Sequence, residues 1–261
     1  MEFYGDYHTH TTNSDAKQTL EEVVQAARDK GLKEVAVTDH GPLAAVIGVK
    51  GAKTYLKLRE QIDEINQQLD DITVLLGAEA NIRDEKGSLD IEPEVIKEMD
   101  ILIAGLHPYT LPTSIDAGIR LFVQNSLRHF GKRQKEKAIT ANTKACVAAM
   151  DNNQYLDILS HPGLFFKVDI KEVAQACIKN EVLFEINCAH KHPNVSDIME
   201  ADRLGTKFII NSDAHFPETV GNLEYGKWIV DKLNIDEEQI VNALTRGGHL
   251  KWAKKAKTYT Y

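Results

Sequence analysis

Short apolar runs alternate with amphipathic stretches along the chain, and this alternation predicts the secondary structure. Nearly continuous runs of Val, Ile and Leu of this length are typical of strands buried on both faces, as in a parallel sheet. Polar breaks separate each run from a segment in which apolar residues recur every three or four positions. We predict seven strands, at residues 3–7 (the weakest of them), 34–38, 72–77, 101–106, 156–159, 182–186 and 207–210.

The stretches between the predicted strands indicate amphipathic helices. Apolar residues repeat at helical spacing within residues 20–27 and again within residues 55–69, so each segment has one apolar face. Thr19 and Glu22 have the spacing of a capping box at the start of the first of these helices. Similar starts are found at Pro93, Asp169 and Asp236, and residues 108–153 are long enough for two helices.

Strands that alternate with helices predict right-handed βαβ units and a parallel sheet. An open doubly wound sheet is the alternative, but it gathers its functional residues at one switch point. Here polar residues with metal-binding side chains follow almost every predicted strand. This distribution favours a closed β/α barrel. Since no low-complexity or Pro/Ser-rich linker divides the sequence, we expect a single domain over residues 1–261.

Composition narrows the function without deciding it. A net charge of −8 disfavours a broad nucleic-acid-binding surface, and only residues 251–257, read as a solvated helix end, are noticeably basic. No run is long enough to cross a bilayer, and Met1 is not followed by a secretory leader pattern. The three cysteines lack metal-site spacing, so we expect a cytoplasmic protein without disulfides and without a membrane partner.

The polar residues at the strand ends are the candidate functional site. In a β/α barrel the carboxyl ends of the strands form the face on which active sites are built. Six of the ten histidines fall there, together with an Asp and a Glu. His8 and His10 are two apart, so in an extended segment both rings point to the same side. The predicted cluster consists of His8, His10, His40, Glu79, His107, His161, Asp213 and His215.

Each of these residues has a simpler explanation by itself, since a histidine after a strand can cap a helix or bond a carbonyl. Their number favours a shared metal site. Imidazole and carboxylate ligands without thiolate suit Zn, Mn or Fe and do not discriminate among them. Because one ion takes only about four to six ligands, the cluster predicts several ions. Glu79 lies midway in the order of strands, so we expect it to bridge two of them.

Six short motifs carry these residues: Asp6-Tyr7-His8-Thr9-His10, Thr38-Asp39-His40, Gly77-Ala78-Glu79-Ala80-Asn81, His107, His161-Pro162-Gly163 and Ser212-Asp213-Ala214-His215. With them the chain resembles the PHP (polymerase and histidinol phosphatase) family over nearly its whole length. The resemblance implies a distorted seven-stranded β/α (TIM-like) barrel with three divalent metal ions. It assigns one ion to His8, His10, Glu79 and Asp213, a second to Glu79, His107 and His161, and a third to Asp15, His40 and His215.

The activity that we expect is metal-dependent hydrolysis of phosphoesters, with Glu79, Asp213 and His215 as catalytic residues. Divalent ions polarise phosphoryl oxygens and activate water, so no Ser or Cys nucleophile is needed. The sequence has no phosphate-binding loop of the GxxxxGK[ST] kind. We expect a phosphatase of the histidinol-phosphatase type that acts on a small phosphorylated substrate. A non-catalytic metal-binding regulatory module is a further alternative, which the complete ligand set disfavours.

Asp15 departs from the histidinol-phosphatase pattern, in which a His is usual at this position. An Asp there is similar to the branch that contains the PHP domains of bacterial family X DNA polymerases. An exonuclease or nucleotide phosphatase is therefore the second hypothesis.

Other residues allow weaker hypotheses. Asp6 and Asp39 either orient metal-bound imidazoles or cap strand ends, and Cys188 is expected to form a pocket wall. The candidates for phosphate binding, each with surface solvation as the alternative, are His190, Lys191, His192, Arg83 and Lys167.

Overall fold

Seven parallel strands form one sheet in chain order in the computed structural model, which describes residues 1–254. All seven predicted strands are present, shifted by one to a few residues at their ends. The prediction of a distorted β/α barrel is confirmed. The strands are β1 (Gly5–Thr9), β2 (Glu34–Val37), β3 (Thr73–Asn81), β4 (Ile101–Gly105), β5 (Ile158–Leu159), β6 (Leu183–Asn187) and β7 (Phe208–Asn211).

Strand β3 is longer than predicted because it pairs with β2 along its first half and with β4 along its second half. Its first half pairs with β2, from Thr73 to Leu76, and its second half pairs with β4, from Gly77 to Asn81. Such a stagger is what tilted strands in a barrel require. Glu79 therefore lies within β3, and the prediction that it follows the strand is wrong.

The gap between β1 and β7 is closed from both ends. At the carboxyl end Thr9 forms a parallel bridge with Ala214, and the amide of His10 donates to the Ala214 carbonyl at 2.9 Å. At the opposite end residues 240–243 lie between the strands, where Ile240 bridges Phe208 and Ala243 bridges Phe3. This closing segment completes a ring that seven strands leave nearly closed.

Helices surround the sheet, largely where the apolar periodicity places them. The capping box predicted at Thr19 and Glu22 is present. Asp169 caps a helix as predicted, whereas Asp236 begins only a short 3-10 turn, Glu237–Gln239. The helices are α1 (Leu20–Asp29), α2 (Ala52–Gln68), α3 (Pro93–Ile96), α4 (Ile115–Gly118), α5 (Gln124–Leu127), α6 (Lys132–Asn152), α7 (Ile170–Asn180), α8 (Val195–Arg203) and α9 (Glu224–Leu233), with a π-helical turn, Ile119–Val123, that joins α4 to α5.

The barrel interior changes from apolar to polar along its axis. Side chains from the beginnings of the strands, among them Leu75, Ile101, Ile158 and Ile209, form a separate buried cluster. Further along the strands the buried polar residues include Glu79, Asn81, Glu185, Asn187 and Asn211. The interior therefore supports a polar site on an apolar base. Within residues 1–254 no helix is long and apolar enough to cross a membrane, and residues 255–257 of the basic stretch lie outside the described part.

Candidate metal centre

All nine residues that were predicted as metal ligands come together at the carboxyl end of the barrel. His8 and Glu79 lie on β1 and β3, and the others lie in the loops that follow the strands. Most of the nine are buried, whereas Asp15 and His215 are partly exposed at the mouth. The barrel thus brings together ligands that are far apart in sequence.

Glu79 is the centre of this cluster. Its Oε1 lies 3.1 Å from His107 Nε2 and 3.0 Å from His161 Nε2. Its Oε2 lies 3.3 Å from His8 Nε2, 3.7 Å from His10 Nε2 and 3.0 Å from His40 Nδ1. Each carboxylate oxygen therefore faces a different set of imidazoles, which is the arrangement that a bridging ligand requires.

Two further carboxylates complete the cluster. Asp213 Oδ1 lies 3.5 Å from His8 Nε2 and 3.2 Å from His10 Nε2. Asp15 Oδ1 lies 3.4 Å from His215 Nε2 and 3.8 Å from His40 Nε2. Three groups have ligand atoms within 4.8 Å of one another: His10, Asp15, His40 and His215; His8, His10 and Glu79; and His40, Glu79 and His107.

The donor set fits divalent cations. His8 Nε2 and His10 Nε2 are buried and form no hydrogen bond with the described residues, although carboxylate oxygens lie within 3.5 Å of both. Buried polar atoms are normally hydrogen-bonded. Unpaired nitrogens that converge with carboxylates on a common space are typical of a site built for cations, and the ligands combine imidazole and carboxylate without thiolate.

The charges in the cluster stabilise one another. Burial acts to raise the pKa of Glu79, but the His107, His8 and His40 rings outweigh it and hold this pKa well below the usual range. Burial lowers the pKa of His10 to about 3, so its ring stays neutral and able to bind a metal. Asp15 and Asp213 outweigh burial at His215 and raise its pKa to about 9.

The backbone is strained at two of the clustered residues. His161 has φ 27° and Asp213 has φ 56°, both in the left-handed region that non-glycine residues rarely adopt. Such conformations persist only where the surrounding structure holds them, and they are concentrated at functional sites. The backbone thus directs both side chains into the cluster.

Sequence reasoning missed two residues that orient the imidazoles. Glu185 on β6 is fully buried and accepts a hydrogen bond from His8 Nδ1 at 2.7 Å, which leaves His8 Nε2 facing the cluster. Asn81 Oδ1 likewise accepts a hydrogen bond from His107 Nδ1 at 2.8 Å, which leaves His107 Nε2 facing the cluster. The signal for Glu185 was a carboxylate within an apolar strand, since such a residue is rarely buried without a partner.

Asp6 and Asp39 do not orient imidazoles by hydrogen bonds. Asp6 accepts from the amide and hydroxyl of Ser212, and Asp39 accepts from the amide and hydroxyl of Thr11. The alternative reading, in which each caps a strand end, is the one that the structure bears out. Both carboxylates hold loops that carry clustered residues.

A cavity of about 720 Å³ opens above the cluster. Within residues 1–254, Lys191 is the only Lys or Arg that lines it, next to His190. Tyr109, Phe165 and Phe216 form apolar walls.

The other phosphate-binding candidates lie elsewhere. Arg83 does not line the cavity, because its Nε donates to the Leu111 carbonyl at 2.9 Å, and Lys167 is likewise absent from the lining. His192 Nε2 is hydrogen-bonded to the Pro162 carbonyl at 2.9 Å. Cys188 lines the cavity as predicted, and burial raises the pKa of its thiol to about 12.

The chain is similar in sequence to a known protein family and to individual relatives of known name. The sequence profile of the PHP domain matches residues 6–189. A probable phosphatase of Thermoanaerobacter sp. (strain X514) is 30% identical over 252 residues, which cover 93% of this chain and 91% of that protein. The DNA polymerase/3'-5' exonuclease PolX of Bacillus subtilis is 26% identical over 248 residues, which cover 92% of this chain but only 39% of PolX.

A solved structure has the same fold. The crystal structure of histidinol phosphate phosphatase from Lactococcus lactis, complexed with Zn, L-histidinol and phosphate, superposes with a TM-score of 0.63 at 17% identity. The match covers 90% of this chain and 95% of that one.

Proposed function

The chain belongs to the PHP domain family, and from this membership and the site geometry we propose that it hydrolyses the phosphomonoesters of small molecules. It is a metal-dependent phosphoesterase. The observation that supports the proposal most is the convergence of nine His, Asp and Glu side chains below a cavity that Lys191 lines.

We propose that the cluster holds three divalent ions, of Zn, Mn or Fe. His8, His10, Glu79 and Asp213 would hold the first, and Glu79, His107 and His161 the second. Asp15, His40 and His215 would hold the third. When bound, such ions polarise a phosphoryl oxygen and lower the pKa of water. Glu79, Asp213 and His215 are the catalytic residues of the proposal, because each would hold an ion and each lines the cavity.

Lys191 is suited to hold the phosphate. Its backbone is in the left-handed region, with φ 47°. Asn187 and His192 exchange two backbone hydrogen bonds around it, at 2.7 and 3.0 Å, so the loop is fixed. A lysine cation beside the cavity favours the dianion of a phosphomonoester over the monoanion of a phosphodiester, since attraction scales with charge.

The leaving group would lie against the apolar walls. Tyr109, Phe165 and Phe216 offer rings, so the cavity favours an organic group of modest size. The relative from Thermoanaerobacter is named a probable phosphatase, and the structural neighbour from Lactococcus was solved with L-histidinol and phosphate. We propose a substrate of that class, a small phosphorylated metabolite.

An exonuclease or nucleotide phosphatase is the second candidate. The similarity to PolX over 92% of this chain and the aspartate at position 15 favour it. A net charge of −8 disfavours a long polynucleotide substrate, and so does a cavity lined, among the described residues, by one lysine and no arginine.

The test is a metal-supplemented assay with phosphorylated metabolites, nucleoside monophosphates and single-stranded oligonucleotides. We expect more than one divalent ion per chain, turnover of a monoester, and reversible loss of activity with chelator. Efficient hydrolysis of oligonucleotides without monoester turnover would favour the second candidate. Activity that resists chelation, with one ion or none bound, would contradict the metal centre.

We further propose a cytoplasmic location and a single domain over residues 1–261. All three cysteines are buried and unpaired, as is usual in a reducing compartment. Residues 1–254 form one barrel with its helices, which supports the single-domain assignment over residues 1–261.

A further inference from the structure

Residues 115–127 form a continuous helical segment that is apolar on two opposite faces. Its inner face carries Ala117 and Leu121, which are buried, and Phe122 packs beside them against Phe166. The inner face attaches the segment to the barrel. A helix at the surface of a monomer normally has a polar outer face.

The outer face is apolar instead. Four residues spaced by four positions are exposed, Ile115 by 86%, Ile119 by 54%, Val123 by 47% and Leu127 by 39%. We call these four the outer stripe. Leu111 before the stripe and Phe130 after it extend the apolar surface, with 50% and 77% exposure.

The exposed apolar area is comparable to the largest patch on a typical monomer, and such patches are often functional. A large aromatic side chain such as Phe130 alone offers about 150–250 Å², so these six residues, which are 39–86% exposed, together present several hundred Å² of apolar surface. The largest apolar patch on a typical monomer is about 300–600 Å². A stable interface needs about 800 Å² on each side. The outer stripe and its flanks could supply most of one side of such an interface.

We propose that the outer stripe is covered by the outer stripe of a second copy of this chain, in antiparallel orientation about a two-fold axis. Equal spacing of the four residues makes the stripe complementary to itself, so Ile119 of each copy packs against Val123 of the other. Homodimers with a two-fold axis use one surface patch on both subunits, which is what a self-complementary stripe provides.

Charges beside the stripe agree with the antiparallel orientation. At the beginning of the segment Asp116 and Glu85 both pair with Arg120, at 2.7 and 3.4 Å, which leaves one net negative charge there. Arg128 lies at the end of the segment, and Lys132 and Arg133 follow. In an antiparallel pair the acidic beginning of one copy faces the basic end of the other. A parallel pair would place like charges together, which is unfavourable. The inference is independent of the proposed function.

The first test is the mass of the full chain in solution, measured by light scattering and sedimentation over a micromolar to nanomolar dilution series. We expect twice the chain mass of 29.2 kDa at the upper end. Val123→Glu should weaken dimerisation by about a hundredfold or more, because each interface would bury two unpaired charges. Ile178→Glu is the matched control, since Ile178 is also exposed but lies on α7. It should leave the dimer unchanged.

The second test examines orientation and does not depend on a charged substitution in the stripe. Ile119→Cys mixed with Val123→Cys should form a disulfide-linked pair under mild oxidation, faster than either variant alone. The native cysteines are buried and do not compete. Asp116→Arg and Arg128→Asp should each weaken the dimer, and the double exchange should restore it.

Three outcomes would overturn the proposal. They are a wild-type chain that is monomeric throughout the series, a dimer that Val123→Glu leaves intact, and a monomer whose stripe instead mediates binding to phospholipid vesicles.

Discussion

Replacing Glu79 with glutamine removes one charge while keeping the shape of the side chain. Five imidazole nitrogens lie 3.0–3.7 Å from its two oxygens, so both oxygens would contact ions if Glu79 bridges. Losing one charge-stabilising contact costs about a hundredfold to a thousandfold in kcat. A change that affects two ions should cost about a thousandfold or more, or about 4 kcal/mol of transition-state stabilisation.

The measurement combines turnover of one phosphomonoester with elemental analysis of metal. Glu79→Gln should retain at most one ion per chain, while His10→Gln, which alters one proposed site, should lose about a hundredfold. Glu34→Gln is the matched control, because Glu34 is also buried but accepts from the Tyr7 hydroxyl at the other end of the barrel. That variant should keep its metals. Equal losses in Glu79→Gln and His10→Gln would refute bridging.

Substitutions at three further residues test separate parts of the site. Asp15→Ala should empty the third proposed site first and lower turnover by about a hundredfold. Asp15→His should restore an ion at this site, with a preference shifted toward Zn. Full three-metal occupancy in Asp15→Ala would show that Asp15 is not a ligand. Lys191→Ala should raise KM for a phosphomonoester by about tenfold or more with a smaller change in kcat, since a lost charge-assisted contact is worth about 1.5–3 kcal/mol. Lys191→Arg should recover most of the lost affinity. An unchanged KM in Lys191→Ala would exclude phosphate binding by this residue. Glu185→Gln should weaken metal affinity by about 10–100-fold, because Glu185 Oε1 accepts the hydrogen bond that orients His8, at 2.7 Å. A metal titration of this variant that matches the wild type would show that the contact is not needed.

The fold and the clustered residues could be predicted because both leave periodic signals. Buried parallel strands appear as continuous apolar runs, and ligands at strand ends appear immediately after them. The stagger of β3 leaves no such signal, since residues 77–81 pair with a different strand from residues 73–76. That pairing depends on barrel geometry, and it carries Glu79 into the strand.

Hydrogen-bond partners were the part that sequence could not supply. Asp6 lies next to the histidine motif in the sequence, yet it bonds Ser212, which is distant in the chain. Glu185, by contrast, is far from His8 in sequence and touches it in space. Which carboxylate contacts which imidazole depends on distances across the barrel. Adjacency along the chain therefore suggested a contact that Asp6 does not make, and it gave no indication of the contact that Glu185 makes.

Closure of the barrel by residues 240–243 has a consequence for biosynthesis. The cluster combines His8 and His10, which accompany the first strand, with Asp213 and His215, which follow the last one, and the segment that secures β1 beside β7 comes later still in the sequence. Contacts of such sequence separation form slowly. On the ribosome the first strand must therefore wait until residues 240–243 have emerged, and before that point the proposed metal site would lack its closed ring of residues.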